Sequence, residues 1–266
     1  MKPTTLCAVL ALAAIAAAPA GAASLESASA SALPAAFAGV ARPAAAFQAR
    51  FVHRVFPGGI PYPCDNMPVV AIKDGVITKN GQPLGDYAQD YKAGCDGTVA
   101  WRNQSGELYK DSADLGRAQR YDVAYYSGVV VWSDDSGNLW RDSQELGSAQ
   151  RYLMALYSGD VAWLDGYGTL YRNDQKLGDG SDFRIADYTG DVAWKDGYGN
   201  IYRNAQKLGE GQQYMIAPRT GDVAWKDDFG ALYKNDRKVA DDPSFWDLRA
   251  DGRLIWTDSS GETHSQ

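Results

Sequence analysis

The stretch "GDVAWLDGYGTLYRNDQKLG" at positions 159–178 decides the fold, because it returns nearly unchanged at 190–209 and again at 221–240. Its tryptophan belongs to a series with a constant spacing of 31 residues. The members of this series are Trp101, Trp132, Trp163, Trp194, Trp225 and Trp256. A fixed period of this length is typical of solenoids, propellers and arrays.

Each repeat has the composition of several short strands. The segments "DVAW" and "TLYR" are rich in β-branched and aromatic residues, and the Gly and Asp between them indicate a tight turn. No segment shows a sustained helical periodicity of apolar residues. The two outermost repeats are incomplete, and Ile72 takes the tryptophan position in the first one. The sequence therefore predicts an all-β, seven-bladed β-propeller with compact four-stranded blades, and a β-solenoid is the alternative.

The residues before the repeats divide into two segments. Residues 1–23 have the composition of a secretory signal peptide, and their apolar run is too short for the alternative of a membrane anchor. Residues 24–48 are rich in Ala, Ser and Pro, which predicts a linker or propeptide. The propeller domain then covers residues 49–266. The β-rich segment 47–56 is the candidate for a strand that completes the ring.

Cysteine usage and charge limit the possible partners. Cys64 and Cys95 are the only cysteines outside the predicted signal, and in an exported protein such a pair predicts a disulfide. Metal binding is the alternative, but His53 and His264 show no ligand spacing, so we expect neither a metal nor a cofactor. The 26 Lys and Arg residues against 33 Asp and Glu give a net charge of −7. We therefore expect neither nucleic acid binding nor membrane insertion.

One turn resembles a known structural motif. The segment "SDDSGNLW" at positions 133–140 resembles the Asp-box hairpin, S-x-D-x-G-x-x-W, of sialidases and other propellers. In the other repeats the Asp stands one place earlier. The resemblance implies a propeller, in which the Asp box is a structural turn away from the chemistry. In architecture the predicted protein is similar to small secreted propeller lectins of bacterial type.

Catalytic residues are not recognisable. The chain shows no arginine cluster, Tyr–Glu pair and general acid of the kind that sialidases use, and glycosidase chemistry needs two carboxylates at a defined separation. No nucleophile motif or phosphate-binding glycine loop is present in the sequence. We therefore expect a non-catalytic binding protein, and a glycosidase-type enzyme is the less favoured alternative.

Two sets of repeated residues are assigned to packing. The tryptophans are expected to fill the space between blades. A series of cations lies beside a series of Asp and Asn residues, and we interpret the two as polar ladders at strand edges. One small ligand site per blade is the alternative for these cations. They are Lys110, Arg141, Arg172, Arg203 and Lys234.

The turn position four residues after the tryptophan distinguishes the repeats. It is serine at Ser105, Ser136 and Ser260, but aromatic at Tyr167, Tyr198 and Phe229. We predict that these rings bind a ligand together with Asp165, Asp196 and Asp227, because a ring can stack on a sugar while a carboxylate accepts from its hydroxyls. The prediction is lectin-like glycan recognition at repeated weak sites. The alternatives are a propeller that binds an extracellular protein surface, and rings that fold back over their own hairpins.

Overall fold

The computed structural model describes Cys64 and residues 67–266. This part of the chain is all-β, and every strand pair is antiparallel and joins strands that follow each other in sequence. The strands form repeated meanders, which we call blades 1 to 7 in chain order. No helix in the described range is long and apolar enough to cross a membrane.

The strands of the first three blades are short and mostly begin just after a turn. Blade 1 consists of β1 (Val70–Lys73), β2 (Val76–Lys79) and β3 (Gln82–Gly85). Blade 2 consists of β4 (Ala88–Ala93), β5 (Val99–Asn103), β6 (Glu107–Lys110) and β7 (Ala113–Arg117). Blade 3 consists of β8 (Arg120–Val123), β9 (Val130–Ser133), β10 (Asn138–Arg141) and the first part of β11 (Gln144–Met154).

The later blades repeat this order. Blade 4 consists of the second part of β11, β12 (Val161–Asp165), β13 (Thr169–Arg172) and the first part of β14 (Gln175–Ile185). Blade 5 consists of the second part of β14, β15 (Val192–Asp196), β16 (Asn200–Arg203) and β17 (Gln206–Glu210). Blade 6 consists of β18 (Gln213–Ile216), β19 (Val223–Lys226), β20 (Leu232–Lys234) and β21 (Arg237–Ala240). Blade 7 consists of β22 (Phe245–Leu248), β23 (Leu254–Thr257) and β24 (Thr263–Ser265).

Two long strands each serve two blades. β11 pairs with β10 up to the Asn138–Ser148 pair and with β12 from the Ala149–Asp165 pair onward. β14 links blades 4 and 5 in the same way. The sequence predicted separate strands at these places. The continuous strand arises because the last strand of one blade runs directly into the first strand of the next.

The strand pairing confirms the predicted fold class, which is a β-propeller. Each blade is an antiparallel meander, and neighbouring blades pack face against face. Successive coils of a β-solenoid would instead pair through parallel strands. The predicted strand order of "YLMALYSG", "DVAW", "TLYRN" and "QKLG" matches that of blade 4. A ring closed by seven blades stays a prediction, because segment 47–56 lies outside the described residues.

The outer blades are incomplete as the sequence predicts. The prediction that Ile72 takes the tryptophan position is wrong, because Ile72 pairs with Ile77 as Arg102 pairs with Leu108 in blade 2, and Ala71 opposite Thr78 stands where Trp101 pairs with Tyr109. Blade 1 lacks a first strand among the described residues, and blade 7 lacks a fourth. Ile72 is 37% exposed, so it does not reproduce the burial of the inner tryptophans.

A buried tryptophan joins each pair of neighbouring inner blades. In blades 2 to 6 the indoles are 3–4% exposed, and each Nε1 donates to a backbone carbonyl of its own blade at 2.7–2.8 Å. Each indole stacks on an aromatic ring of the third strand, with centroids 4.1–5.1 Å apart. A Cβ added to Gly209 would overlap the ring of Trp225 in the next blade. The predicted packing role of the tryptophans is therefore confirmed.

The turn between the third and fourth strands explains a second repeated position. Asn173 has a φ of 51°, which Asn and Asp tolerate better than most residues. Its side-chain oxygen accepts from the N–H of Val161 at 2.9 Å, and its own N–H donates to the carbonyl of Val161 at 2.7 Å. The residues in this position have φ values of 50–53° and are Asp111, Asp142, Asn173, Asn204 and Asn235.

Residues at a third position form a column that crosses the blades, which we call the stacking column. It begins with the predicted disulfide between Cys64 and Cys95, which the structure confirms with a Cα–Cα distance of 5.4 Å. The Tyr157 ring lies 4.7 Å from the Tyr126 ring and 4.0 Å from the Tyr188 ring. Backbone hydrogen bonds, such as the 2.9 Å bond from Tyr157 N to the next blade, accompany these contacts. The whole column is Cys64, Cys95, Tyr126, Tyr157, Tyr188, Arg219 and Ala250.

Candidate binding face

The predicted ligand-binding residues lie on one end of the blades, which we call the tip face. It contains the turns between second and third strands and the connections from each blade to the next. Gly180 N in such a connection donates to Gly168 O in the turn at 3.0 Å, and Gly211 N donates to Gly199 O at the same distance. Turn and connection are thus fixed to each other in blades 4 and 5, and Ala118 and Ala149 make the corresponding bonds to Gly106 and Gly137 in blades 2 and 3.

An aspartate holds this turn in blades 3 to 7. In blade 4, Asp165 Oδ1 accepts from the N–H groups of Tyr167 and Thr169, both at 2.8 Å, and Oδ2 lies 3.5 Å from the hydroxyl of Tyr171. Asp196 and Asp227 make the corresponding bonds in blades 5 and 6. The three predicted ligand carboxylates therefore stabilise the turns. Their contact with a ligand stays a prediction.

Hydrogen bonding controls the ionisation of these turn carboxyls. Desolvation opposes ionisation of Asp165 and Asp196, but the hydrogen bonds from the turn outweigh it and hold the pKa of each below its usual value. The same balance lowers the pKa of Asp134 in blade 3. The carboxylates are ionised at neutral pH and act as fixed acceptors.

The Asp-box resemblance places the key aspartate one residue too late. Asp134, not Asp135, accepts from the N–H groups of Ser136 and Asn138 at 2.9 Å. Asp135 instead forms an exposed ion pair with Arg117 at 3.1 Å. The turn of blade 3 is therefore built like the turns of its neighbours, with the aspartate in the earlier position.

The three aromatic tips are nearly free of contact with the fold. Tyr167 is 96% exposed, Tyr198 is 87% exposed and Phe229 is 94% exposed. The rings therefore do not fold back over their own hairpins. Blades 2, 3 and 7 have exposed serines at the same place, so the turn itself does not require an aromatic residue.

A shallow depression lies beside the first tip. It has a volume of about 580 Å³ and is lined by Ser148, Trp163, Asp165, Gly166 and Tyr167. Trp163 contributes only a small exposed part because the ring is 4% exposed. The depression thus brings together two of the predicted site residues, Asp165 and Tyr167.

The connections next to the tips differ in charge between blades. The position after the repeated glycine, which is replaced by Ala240 in blade 6, is Arg117 in blade 2 and Ser148 in blade 3, but it is acidic in blades 4 to 6. The acidic residues are Asp179, Glu210 and Asp241, and all three are exposed. Among blades 2 to 6, the aromatic tips and the acidic connections therefore occur in the same three blades, and blade 1 has the exposed Asp86 at this position without an aromatic tip.

The cation series lies at the opposite end of the blades, where all members but Arg141 form ion pairs and Arg141 Nε donates to the carbonyl of Gly159 at 3.0 Å. Arg172 contacts Asp160 of its own blade at 2.8 Å and Asp191 of the next at 3.3 Å. Arg203 continues the pattern with Asp191 at 2.6 Å and Asp222 at 3.9 Å. These contacts support the interpretation of the series as a polar ladder rather than as one ligand site per blade.

A groove beside the first strands of blades 2 to 4 was not predicted. Its volume is about 1040 Å³. Within it, Asp90 accepts from the Tyr121 hydroxyl and from Arg102, both at 2.6 Å. Burial and the bond to Asp90 raise the pKa of Tyr121. Asp90 occupies a repeat position that is aromatic in the following blades. This exception in a series with a 31-residue spacing is the sequence signal that points to the cluster. The members of that series include Tyr121, Tyr152, Phe183 and Tyr214.

A cluster of acidic and histidine side chains lies in the turn of blade 7. The ligand atoms of Asp258, Glu262 and His264 all lie within 4.8 Å of one another. Asp258 accepts from Ser260, from the N–H of Glu262 and from His264 Nε2, which is 2.9 Å from Oδ2. The hydrogen bonds from Ser260 and His264 lower the pKa of Asp258. The cluster is thus the blade 7 version of the aspartate turn.

The comparisons with known proteins found solved structures of low similarity. No family model and no curated protein matches the sequence. The chain is similar to the WD40 β-propeller domain of Doa1, with 12% identity over 77% of this chain and 90% of that one, and a TM-score of 0.27. Hsv2 of Kluyveromyces lactis shares 9% identity over 76% of this chain and 94% of that one, with a TM-score of 0.35. The Dos1 propeller shares 9% identity over 75% of each chain, with a TM-score of 0.31. The assignment to the β-propeller class rests on the strand pairing of this chain itself.

Proposed function

We propose that this chain is an exported, non-catalytic binding protein that contacts a protein surface with the tip face of blades 4 to 6. The observation that carries the proposal is the exposure of three aromatic rings, at 87–96%, on turns that fold equally well with serine. Exposed aromatic residues are costly to leave in water, and aromatic residues dominate the binding energy of many interfaces.

The polar groups beside the rings favour a protein partner over a glycan. Lectin-like recognition would use Asp165, Asp196 and Asp227 to accept from sugar hydroxyls. One oxygen of each carboxylate already accepts from two backbone N–H groups, and the other faces a tyrosine hydroxyl. The rings therefore offer apolar area without a free set of acceptors at their base.

Glycan binding is the second candidate because of the depression beside Tyr167. A site of about 580 Å³ bordered by an exposed ring has room for a sugar residue. Ser148 provides a hydroxyl on its other side.

Export is part of the proposal. The Cys64–Cys95 disulfide suits an oxidising compartment. The composition of residues 1–23 is the second support. The non-catalytic character is supported by the turn of blade 7, where hydrogen bonds within the turn engage the Asp258 carboxylate and His264 Nε2.

The test uses a displayed peptide library and a glycan array. Both are screened with the parent protein and with the ring variant, Tyr167→Ser, Tyr198→Ser and Phe229→Ser, which copies the tips of blades 2, 3 and 7. We expect the parent to enrich peptides whose affinity falls about tenfold or more in the ring variant, at an unchanged melting temperature. Peptides that bind both proteins equally would overturn the proposal. A glycan that binds only the parent would replace it with the second candidate.

A further inference from the structure

We infer that the partner of the tip face is a protein segment with successive Lys or Arg side chains. The inference rests on the proposed function and adds the chemistry of the partner. It begins from the correlation between two positions of the repeat. The three blades with an aromatic tip have a carboxylate in the adjacent connection, and the two complete blades with a serine tip have Arg117 or Ser148 there.

The backbone places each carboxylate beside its ring. Asp179 pairs with Thr169, two residues after Tyr167, and Glu210 pairs with Asn200, two residues after Tyr198. The hydrogen bonds from the connections to Gly168 and Gly199 keep this arrangement rigid.

Blade 6, the last of the three blades with an aromatic tip, also has a carboxylate next to its tip. Leu232 pairs with Ala240, so Asp241 follows directly beyond the paired strands next to the turn of Phe229. Asp242 lies beside it and is 82% exposed at its side chain. Each of the three blades thus presents one ring and at least one carboxylate.

A ring beside a carboxylate suits a cationic side chain. The face of an aromatic ring attracts an ammonium or guanidinium group, and the carboxylate pairs with the same charge. The ring alone would also accept an apolar side chain, and the carboxylate adds the preference for a cation. Three such units on successive blades suit a segment with several cations, and their individually weak contacts add along the segment.

The chain has its own cations near these carboxylates. Lys176 lies 3.6 Å from Asp179, Lys238 lies 2.5 Å from Asp241, and Lys226 lies 3.1 Å from Asp242. Asp179, Asp241 and Asp242 are all at least 77% exposed at the side chain. Exposed pairs of this kind contribute little stability, so a partner cation can replace the intramolecular lysine.

The reversed charges in blade 2 strengthen the inference. Asp114 and Arg117 stand where blade 4 has Lys176 and Asp179. The fold therefore accepts either sign at these positions. The acidic connection is not a requirement of the blade. Among blades 2 to 6 it occurs only beside an aromatic tip, which indicates a shared ligand, whereas blade 1, whose tip turn is shorter, has the exposed Asp86 at this position.

The experiment measures the binding of fluorescent oligolysine and oligoglutamate peptides by anisotropy. The parent is compared with the ring variant and with an acid variant, Asp179→Ser, Glu210→Ser and Asp241→Ser, which copies Ser148 of blade 3. A control variant, Glu145→Ser, Asp174→Ser and Asp236→Ser, removes the same number of exposed carboxylates elsewhere. Melting temperatures confirm that all four proteins are folded.

We expect oligolysine to bind the parent and the control variant within about twofold of each other, and the ring and acid variants about tenfold more weakly. Oligoglutamate should bind none of them. An acid variant that binds oligolysine like the control would overturn the inference. If the ring variant still fails to bind the library peptides that the parent enriches, the proposed function stands although the inference about a cationic partner does not. If neither variant differs from the control in either assay, both fall.

Discussion

Blades 2 and 3 differ from blades 4 to 6 in how they place one negative charge at the blade interface. In blade 3 the charge is on Asp142 in the turn between the third and fourth strands, and Val129 occupies the loop before the second strand. In blade 5 the turn residue is Asn204 and the loop residue is Asp191. The carboxylate thus lies at different positions in the two groups of blades, but in both cases it forms an ion pair with a Lys or Arg side chain. Lys110 reaches Asp142 at 2.8 Å, and Arg203 reaches Asp191 at 2.6 Å.

This difference separates what the fold requires from what it tolerates. Each interface needs a buried indole and a turn residue that accepts positive φ, and these are the same in both groups of blades. An ion pair is also kept, although its residues change places. The tip residues change without any compensating change in the packing, and this is why we assign them to a partner rather than to the fold.

The largest effect is expected where the two groups of blades are alike. Trp132→Ala in blade 3 and Trp194→Ala in blade 5 should each lower the free energy of unfolding by about 3–5 kcal/mol, because both indoles are 3% exposed. Denaturant titration gives the values, with Tyr198→Ser as an exposed aromatic control that should cost little. Unequal losses for the two tryptophans would show that the interfaces are not equivalent.

A smaller effect is expected along the stacking column. Removing the disulfide by Cys64→Ser and Cys95→Ser should cost about 2–4 kcal/mol through the entropy of the unfolded chain. Tyr157→Ala should lower the free energy of unfolding by about 1 kcal/mol in addition to the loss of buried area, because it removes the contacts with the Tyr126 and Tyr188 rings. Denaturation midpoints measure both, and thiol labelling of the native protein should find no free thiol. A reactive thiol, or a disulfide variant as stable as the parent, would contradict the first expectation.

The exchange of charge positions can be tested by moving the carboxylate of blade 5 from position 191 to position 204. Asp191→Thr should destabilise the protein by about 1–2 kcal/mol, because it leaves Arg203 and Arg172 without their shared carboxylate. Adding Asn204→Asp recreates the arrangement of blade 2, with the new carboxylate close to Arg172, whose Nη1 lies 3.5 Å from Asn204 Oδ1. The double variant should recover most of the loss.

The control for this exchange is Asn204→Asp alone, which adds a second carboxylate beside Asp191. A double variant whose destabilisation equals the sum of the two single changes would show that the positions are not exchangeable. A double-mutant cycle at neutral pH supplies the comparison.

The smallest effect concerns the tip turns and pH. The folded-state pKa values of Asp134, Asp165 and Asp196 lie below those of the unfolded chain, so their contribution to stability is present above the unfolded pKa of about 4. The contribution is lost as the pH falls through the folded pKa. Blade 2 has Asn103 in this place, which makes the same bonds to Ser105 and Glu107 without titrating.

The measurement is the free energy of unfolding between pH 6 and about pH 2 for the parent and for Asp165→Asn. The variant should lose less stability on acidification than the parent, because one titrating acceptor has become an amide as in blade 2. Parallel pH curves for the two proteins would exclude a role for the Asp165 charge.

Periodicity made the fold predictable from sequence, and it also set the limit of what could be predicted. Strand order, the packing of the tryptophans and the disulfide follow from positions that recur every 31 residues. The sequence predicts ligand contact for the aspartates of the tip turn, whereas the particular N–H groups that each one accepts from are visible only in the structure. In blade 3 the presence of both Asp134 and Asp135 made the Asp-box register ambiguous. The cluster around Asp90 was missed because it depends on contacts between blades.

The candidate site was predictable only as a difference between repeats. The exposure of Tyr167, Tyr198 and Phe229 agrees with the idea that these turns need no ring. The position of the acidic connections next to the rings can be recognised only from the strand register, since the pairing of Asp179 with Thr169 brings Asp179 beside the turn. Sequence spacing alone separates Tyr167 and Asp179 and does not show that they are neighbours.

The stacking column has a consequence for how so repetitive a chain avoids mistakes. Blades with nearly identical sequences could pack on the wrong neighbour, displaced by one whole repeat, without exposing a single tryptophan. At this column, however, the pairs change along the chain: Cys64 is bonded to Cys95, tyrosine meets tyrosine at two interfaces, and Arg219 lies 5.4 Å from the Tyr188 ring. A displaced blade would set a cysteine against a tyrosine and leave the other thiol without a partner. The variable residues of an otherwise uniform repeat thus distinguish correct from displaced packing of the blades, and the Cys64–Cys95 disulfide fixes the register at the start of the column.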